Sequence, residues 1–134
     1  MDCLDIGPLE PMTKFERDEA FASRTKELGI KHDDGKVRFE LLPAGPLTEL
    51  AKVYSAGARK YSDHQWRGGL RTTRLFGAAL RHAFAWLGGE TRNPGPGQEA
   101  GLHHLAQAAW NLLAIVEMEV THPELDDRYK EKKP

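Results

Sequence analysis

The chain has 134 residues, 40% of them hydrophobic and 29% charged, which fits one soluble globular domain with a single sizeable core. With 19 Lys and Arg against 20 Asp and Glu, the formal net charge of −1 gives no global basic field, so nucleic acid is not expected as a partner. The lone Cys3 excludes an intrachain disulfide and a cysteine-built zinc site, and no run reaches the roughly 18–20 apolar residues of a membrane span.

No basic-then-apolar leader is visible, so a cytoplasmic location without membrane contact is expected. Residues 1–32 read as an N-terminal arm containing Pro8 and Pro11, with a short charged helix over Phe15–Leu28 ended by Gly29. Residues 33–134 carry the main domain. In its first segment Lys36, Arg38 and Glu40 alternate with Val37, Phe39 and Leu41, the period of a half-buried strand. One strand cannot make a sheet, so this short extended segment is expected to lie against helices.

Pro46 suits the first turn of a helix running to about Tyr61. Its apolar stripe is Leu47, Leu50, Ala51, Tyr54, Ala58 and Tyr61. Glu49, Val53, Ala56 and Lys60 form a neighbouring line, and Gly57 would permit close approach of another backbone. A polar and aromatic loop, Ser62–Gly69, precedes a second helix that starts with Thr72 or Thr73 as N-cap and ends at Gly88-Gly89. Leu75, Phe76, Ala79, Leu80, Ala83 and Leu87 form its apolar face, with Arg74, Ala78, Arg81, His82 and Ala85 on an adjoining strip. After a Gly/Pro-rich loop, the stretch from Gly101 to Val120 has no internal Gly or Pro and is apolar almost all round, so it is expected to be buried on most of its circumference. The tail from Lys130 to Pro134 reads as frayed. Two long helices joined by a short loop are antiparallel neighbours, and a third packs across them. The expected fold is an all-α bundle, oligomeric because its apolar faces leave surface to bury.

The last long helix carries His104, Gln107 and Asn111 on one side, at i, i+3 and i+7. Buried polar atoms cost about 1–3 kcal/mol each when unpaired, so this line needs a partner. Antiparallel packing brings His82 to the level of His104, with Glu90 and Glu99 at the two ends of the connecting loop. Imidazoles and carboxylates converging there suit a divalent cation such as Mg²⁺ or Mn²⁺, and imidazole also tolerates Zn²⁺. Lys36, Lys60, Arg74 and Arg81 offer the positive charge a polyphosphate requires. Each residue also has a plainer reading. A single helical His is more often a hydrogen-bonded core or surface residue, and Glu90 and Glu99 are solvated by default. Trp66, Trp86 and Trp110 read first as core or interface, and His103 points about 100° away from His104, toward solvent. No phosphate-binding glycine loop, nucleophile elbow or paired zinc motif is present.

Several ungapped blocks add to this. They are Gly35-Lys-Val-Arg-Phe-Glu-Leu-Leu-Pro43, Tyr54-x-x-Gly57-Ala-Arg-Lys60-Tyr61, Gln65-Trp66, and Leu80-Arg-His82 followed by Gly89-Glu90. Glu99-x-Gly101-Leu-x-His104-Leu-Ala-x-Ala108 with Trp110-Asn111 completes the set. Together they resemble the phage and bacterial dATP/dGTP diphosphohydrolase family, which includes the MazZ enzymes and is similar to MazG-type all-α pyrophosphohydrolases. The resemblance implies a MazG-like helical bundle assembled as a dimer or tetramer and a Mg²⁺ or Mn²⁺ cofactor. It implies cleavage of a purine deoxynucleoside triphosphate between its α- and β-phosphates. The substrate expected from MazZ members is dGTP, whose product feeds 2-aminoadenine nucleotide synthesis in a phage, in the host cytoplasm.

The chain departs from the larger MazG group where an acidic helical motif is replaced by His104-Leu-Ala-Gln107, and Gln107 stands where many relatives carry a second His. The expected metal ligands are then Glu49, Glu90, Glu99 and His104. Water is the expected nucleophile, with His82, Glu90 or Glu99 as general base and His104 beside them. Arg81 and Lys60 would stabilise the leaving pyrophosphate. Substrate contacts are expected from Lys36, Arg38, Glu40, Tyr61, Trp66, Arg74 and Asn111, with Glu40 pairing to guanine's N1 and 2-amino hydrogens. Two rivals remain: a non-catalytic helical nucleotide-binding module, and a metal phosphohydrolase releasing triphosphate.

Overall fold

A computed structural model describes residues 10–25 and 29–134, with side chains over 10–22 and 29–134. It forms two compact units, Met1–Arg38 and Phe39–Pro134.

The first unit holds helix α1, Lys14–Thr25. Thr13 and Glu16 close its start reciprocally: Glu16 Oε2 accepts the Thr13 N–H at 2.8 Å, and Thr13 Oγ1 accepts the Glu16 N–H at 3.2 Å. Residues 1–9 of the arm and the expected helix end at Leu28 lie outside the described residues. The strand expected over Lys36–Leu41 does not form. Asp33 closes a turn by accepting the Lys36 N–H at 3.1 Å, and Phe39–Leu41 is a single 3₁₀ turn. Val37, Phe39 and Leu41 are 78%, 73% and 66% exposed, so the apolar half of the alternation is not packed against a helix. Alternation without a neighbouring strand has no ladder to hold it, and Pro43 then directs the chain into the next helix.

The second unit is built from α2 (Ala44–Lys60), α3 (Thr72–Leu87) and α4 (His104–Thr121). Among the described residues it has no named strand, only one antiparallel bridge between Arg92 and His103. α3 and α4 are antiparallel and make the principal packing pair, and α2 rests on α4. Leu75, Ala114 and Met118 form the core, surrounded by Trp66, Leu70, Trp110 and Ile115. Met118 is fully buried, and its Sδ accepts the Leu70 N–H at 3.4 Å.

Three expectations are corrected in detail. α2 packs through parts of both lines: Ala56 is its buried residue and Tyr54 of the stripe meets Trp66 and Trp110, whereas Leu47 is 39% and Tyr61 65% exposed. A small side chain at Ala56 lets α2 approach α4, while a Cβ at Gly57 would meet nothing within 4 Å, so no backbone crosses there. α3 is capped in trans. Arg71 occupies the N-cap without a side-chain bond, and Asp127 from the tail accepts the Thr73 N–H at 3.0 Å and the Thr73 hydroxyl at 2.7 Å. His103 does not point idly to solvent. It is the N-cap of α4, its Nδ1 accepting the Leu105 N–H at 3.1 Å.

α4 buries less of its circumference than its composition suggests. His104, Ala106, Gln107, Ala108, Asn111, Ala114 and Met118 are buried, yet Leu112, Leu113 and Val116 are 46%, 46% and 59% exposed. Phe76, Leu80 and Phe84 on α3 are likewise 50%, 41% and 65% exposed. The tail returns across the fold. His122 Nε2 meets the Arg67 carbonyl at 3.0 Å and Nδ1 meets Glu124 at 3.1 Å. Gly69 (φ +119°) makes room there, since a Cβ on it would lie 2.8 Å from Leu125 Cδ1.

Two outcomes follow. Met118→Ala empties the core centre and lowers unfolding free energy by about 2–5 kcal/mol, read from denaturant titration. His122 has acceptors on both ring nitrogens, and the Arg67 carbonyl, then Glu124, raise its pKa above 6.5. A raised folded-state pKa contributes stability that is complete below the unfolded value and disappears as pH climbs through the folded one. His122→Gln should therefore flatten the decline of Tm with rising pH above about 6.5, the unperturbed His value; an unchanged profile refutes the assignment.

Candidate active site

α2 and α3 both lie against α4, and a cavity of about 910 Å³ opens between them, within the range of ligand sites. α4 supplies its floor through Gln107, Trp110 and Asn111. α2 supplies Tyr54 and Lys60, its C-cap supplies Tyr61, and α3 supplies Arg74, Arg81 and His82; Trp66 and Glu99 come from the connections.

At one end lies a chain of titratable groups. His82 Nδ1 stands 2.9 Å from His104 Nδ1, and His104 Nε2 stands 2.6 Å from Glu90 Oε1. His104 is 5% exposed, so its imidazole depends on these two partners. A carboxylate can only accept, which makes His104 Nε2–H the donor to Glu90. In the neutral chain His104 Nδ1 then accepts from His82 Nδ1–H, leaving His82 Nε2 with its lone pair. Burial, and secondly the His104 ring, push the His82 pKa below 6.5. That favours a neutral imidazole at physiological pH, the form needed for a base.

The loop between α3 and α4 places Glu90. Glu90 N–H bonds to the Ala85 carbonyl at 3.0 Å, the His104 N–H to the Thr91 carbonyl at 3.0 Å, and the Asn93 N–H to the Leu102 carbonyl at 2.8 Å. Arg92 ties this loop to α2, reaching Glu49 at 3.3 Å and the Gly101 carbonyl at 2.9 Å. Gly95 needs its positive φ of +91°, and a Cβ there would meet Ala100 Cβ at 2.9 Å.

Cations line the walls. Lys60 is held 3.5 Å from Glu99, and its pKa is raised by Tyr61 and then by Glu99, which keeps it protonated. Among the described residues neither Arg74 nor Arg81 has a carboxylate partner, so both guanidiniums are available to an anion entering the groove. Tyr54, Trp66 and Trp110 meet edge-to-face, with centroids 6.1, 6.1 and 5.7 Å apart, and form the apolar part of the lining.

The expected residues thus separate. His82, His104 and Glu90 come together, and Glu99, Lys60, Tyr61, Trp66, Arg74, Arg81 and Asn111 line the same groove as His82. Glu40 stands in the Phe39–Leu41 turn and does not line it. Lys36 and Arg38 belong to the Met1–Arg38 unit, where Lys36 pairs with Asp33 at 3.5 Å. The expected metal ligands Glu49, Glu90, Glu99 and His104 do not make one coordination site. Glu49 is engaged by Arg92 and Lys52, and these neighbours lower its pKa. Glu99 is engaged by Lys60, and only Glu90 reaches His104. Among the described residues no three His, Cys, Asp or Glu side chains stand where they could hold an ion together.

The sequence-level site omitted Tyr54 and Trp110, whose spacing reads as core, and Asn93, a loop residue with no periodic signal. Asn93 Nδ2 donates to Gln107 Oε1 at 3.3 Å.

Comparison with known proteins agrees with the sequence blocks. The family model for the dATP/dGTP diphosphohydrolase, N-terminal, matches residues 26–128. A dATP/dGTP diphosphohydrolase of Salmonella phage PMBT28 is 35% identical over 100 residues. That alignment covers 75% of this chain and 33% of the phage protein, so the chain spans about a third of the length of this relative. No solved structure matches. With the family model spanning well over half of its length, the chain belongs to the dATP/dGTP diphosphohydrolase N-terminal family.

Proposed function

We propose that the groove hydrolyses a purine deoxynucleoside triphosphate to the monophosphate and pyrophosphate, with dGTP as the preferred substrate. The observation that carries this reading is the Glu90–His104–His82 chain ending in a cation-lined groove. The name of the phage relative, a dATP/dGTP diphosphohydrolase, supports the substrate class.

His82 Nε2 takes a proton from water, and the hydroxide attacks the α-phosphorus as the bond to the bridging oxygen of the β-phosphate breaks. The positive charge gained by His82 is stabilised through His104 by the Glu90 carboxylate, which also fixes the tautomer. Arg74, Arg81 and Lys60 neutralise the triphosphate and the departing pyrophosphate. The divalent ion implied by the family belongs to the substrate in this reading, since Mg²⁺ is commonly carried on nucleotide phosphates.

Assembly into a homo-oligomer is part of the same proposal. Phe76, Leu80 and Phe84 on α3 and Leu112 and Val116 on α4 are exposed at helical spacing, away from the groove. Exposed apolar patches of this kind mark interaction surfaces. A stripe free of charged side chains suits a second copy of itself, the same patch meeting its equivalent across a twofold axis. Leu112→Glu should convert the dimer or tetramer to monomer in light scattering; a monomeric parent chain rejects the assembly.

The catalytic reading is tested by incubating the chain with dGTP, dATP, dCTP and dTTP in Mg²⁺ or Mn²⁺ and identifying both products. Monophosphate with pyrophosphate is expected, and nucleoside with triphosphate, or no turnover, would overturn it. His82→Asn should lower kcat/KM by about 10²- to 10⁴-fold. Because the active form is the neutral imidazole with a depressed pKa, kcat/KM of the parent falls as pH drops through a value below 6.5. His82→Asn should lose that limb.

A further inference from the structure

Two carboxamides on the groove floor are almost fully buried yet have an unused end. Gln107 is 4% exposed and Asn111 6%, and both line the cavity. Backbone groups fix which end is which. The Gly95 N–H donates to Asn93 Oδ1 at 3.1 Å, so Asn93 Nδ2 is the donor toward Gln107 Oε1 at 3.3 Å. Gln107 Nε2 is therefore left as a donor. Asn111 Nδ2 donates to the Gln107 backbone carbonyl at 2.8 Å, so Asn111 Oδ1 is left as an acceptor. Among the described residues neither of these ends has a partner.

Both free ends are open to the groove rather than sealed in the core, so a ligand entering it can meet a donor and an acceptor side by side. The two residues sit one turn apart on α4, with Trp110 between them and Tyr54 and Trp66 packed on it. His104 lies one turn earlier, at the cationic end. A ligand spanning both ends must carry anionic groups near His82 and a flat ring with an acceptor and a donor near Gln107 and Asn111.

We infer that Gln107 Nε2 and Asn111 Oδ1 read the hydrogen-bonding edge of a purine base, donating to its acceptor and accepting from its adjacent donor. A 6-oxopurine offers O6 and N1–H, and a 6-aminopurine offers N1 and N6–H, so one fixed pair admits both in different registers. This rests on the nucleotide reading of the groove and names the residues that set base selectivity.

The test uses the full chain and non-hydrolysable α,β-methylene triphosphates of deoxyguanosine, deoxyadenosine and the unsubstituted purine deoxynucleoside. The last lacks the donor at position 6. Calorimetry should give a Kd about tenfold weaker for the unsubstituted purine than for whichever of the other two binds better, the effect of one net hydrogen bond. Asn111→Leu should bring the three Kd values together, whereas Gln107→Leu removes a contact made to all three bases and should weaken all three. Gln107→Glu keeps the oxygen that accepts from Asn93 while turning the free donor into an acceptor, so it reports even where the leucine variants fold poorly; it should weaken the better-bound base. A guanine-specific loss assigns O6 and N1–H, and an adenine-specific loss assigns N1 and N6–H. Equal binding of all three by the parent, or unchanged affinity for all three in Gln107→Glu, overturns the inference. Binding with this pattern but without turnover would leave it standing and remove the hydrolytic reading instead.

Discussion

The second unit depends on one constraint: three polar side chains, His104, Gln107 and Asn111, are buried along one side of α4 and each must be matched. An unpaired buried polar group costs about 1–3 kcal/mol, comparable to much of a small domain's margin. The partners come from different parts of the chain. Glu90 and His82 serve His104, Asn93 serves Gln107, and the Gln107 carbonyl serves Asn111. The pairing therefore fixes the approach of α3 and the path of the loop before α4.

That loop does more than connect. Arg92 reaches Glu49 on α2 and the Gly101 carbonyl, and backbone bonds to Ala85 and Thr91 hold its two ends against α3 and α4. Glu90, half-exposed, is thereby presented to a buried imidazole. The groove inherits a polarity from this arrangement. Arg81, Lys60 and the imidazole pair gather near the start of α4, Arg74 lies about two turns away along α3, and aromatic rings and carboxamides line the floor. A ligand with an anionic end and a flat ring end matches it, which is the outline of a nucleotide.

Much of the second unit was legible beforehand. The span of α3, Thr72–Leu87, follows from its Thr start and Gly88-Gly89 stop, and α4 follows from an apolar run without Gly or Pro. The meeting of His82 and His104 follows from antiparallel packing alone. Other features were not legible. Asp127 caps α3 from far along the chain, where local capping rules do not look. Glu49 and Glu99 carry the right atoms for a cation but are already matched by Arg92 and Lys60, and no spacing rule reveals an ion pair between distant elements.

The amino-acid sequence by itself determined the helices, their antiparallel pairing and the polar line on α4, because periodicity and chain breakers act locally. It also carried the family, through blocks spread along most of the chain. Only the tertiary structure decided which carboxylate reaches an imidazole, which arginines stay unpaired and which carboxamide ends face the groove. Those outcomes depend on distances between elements far apart in the chain, which local patterning does not encode.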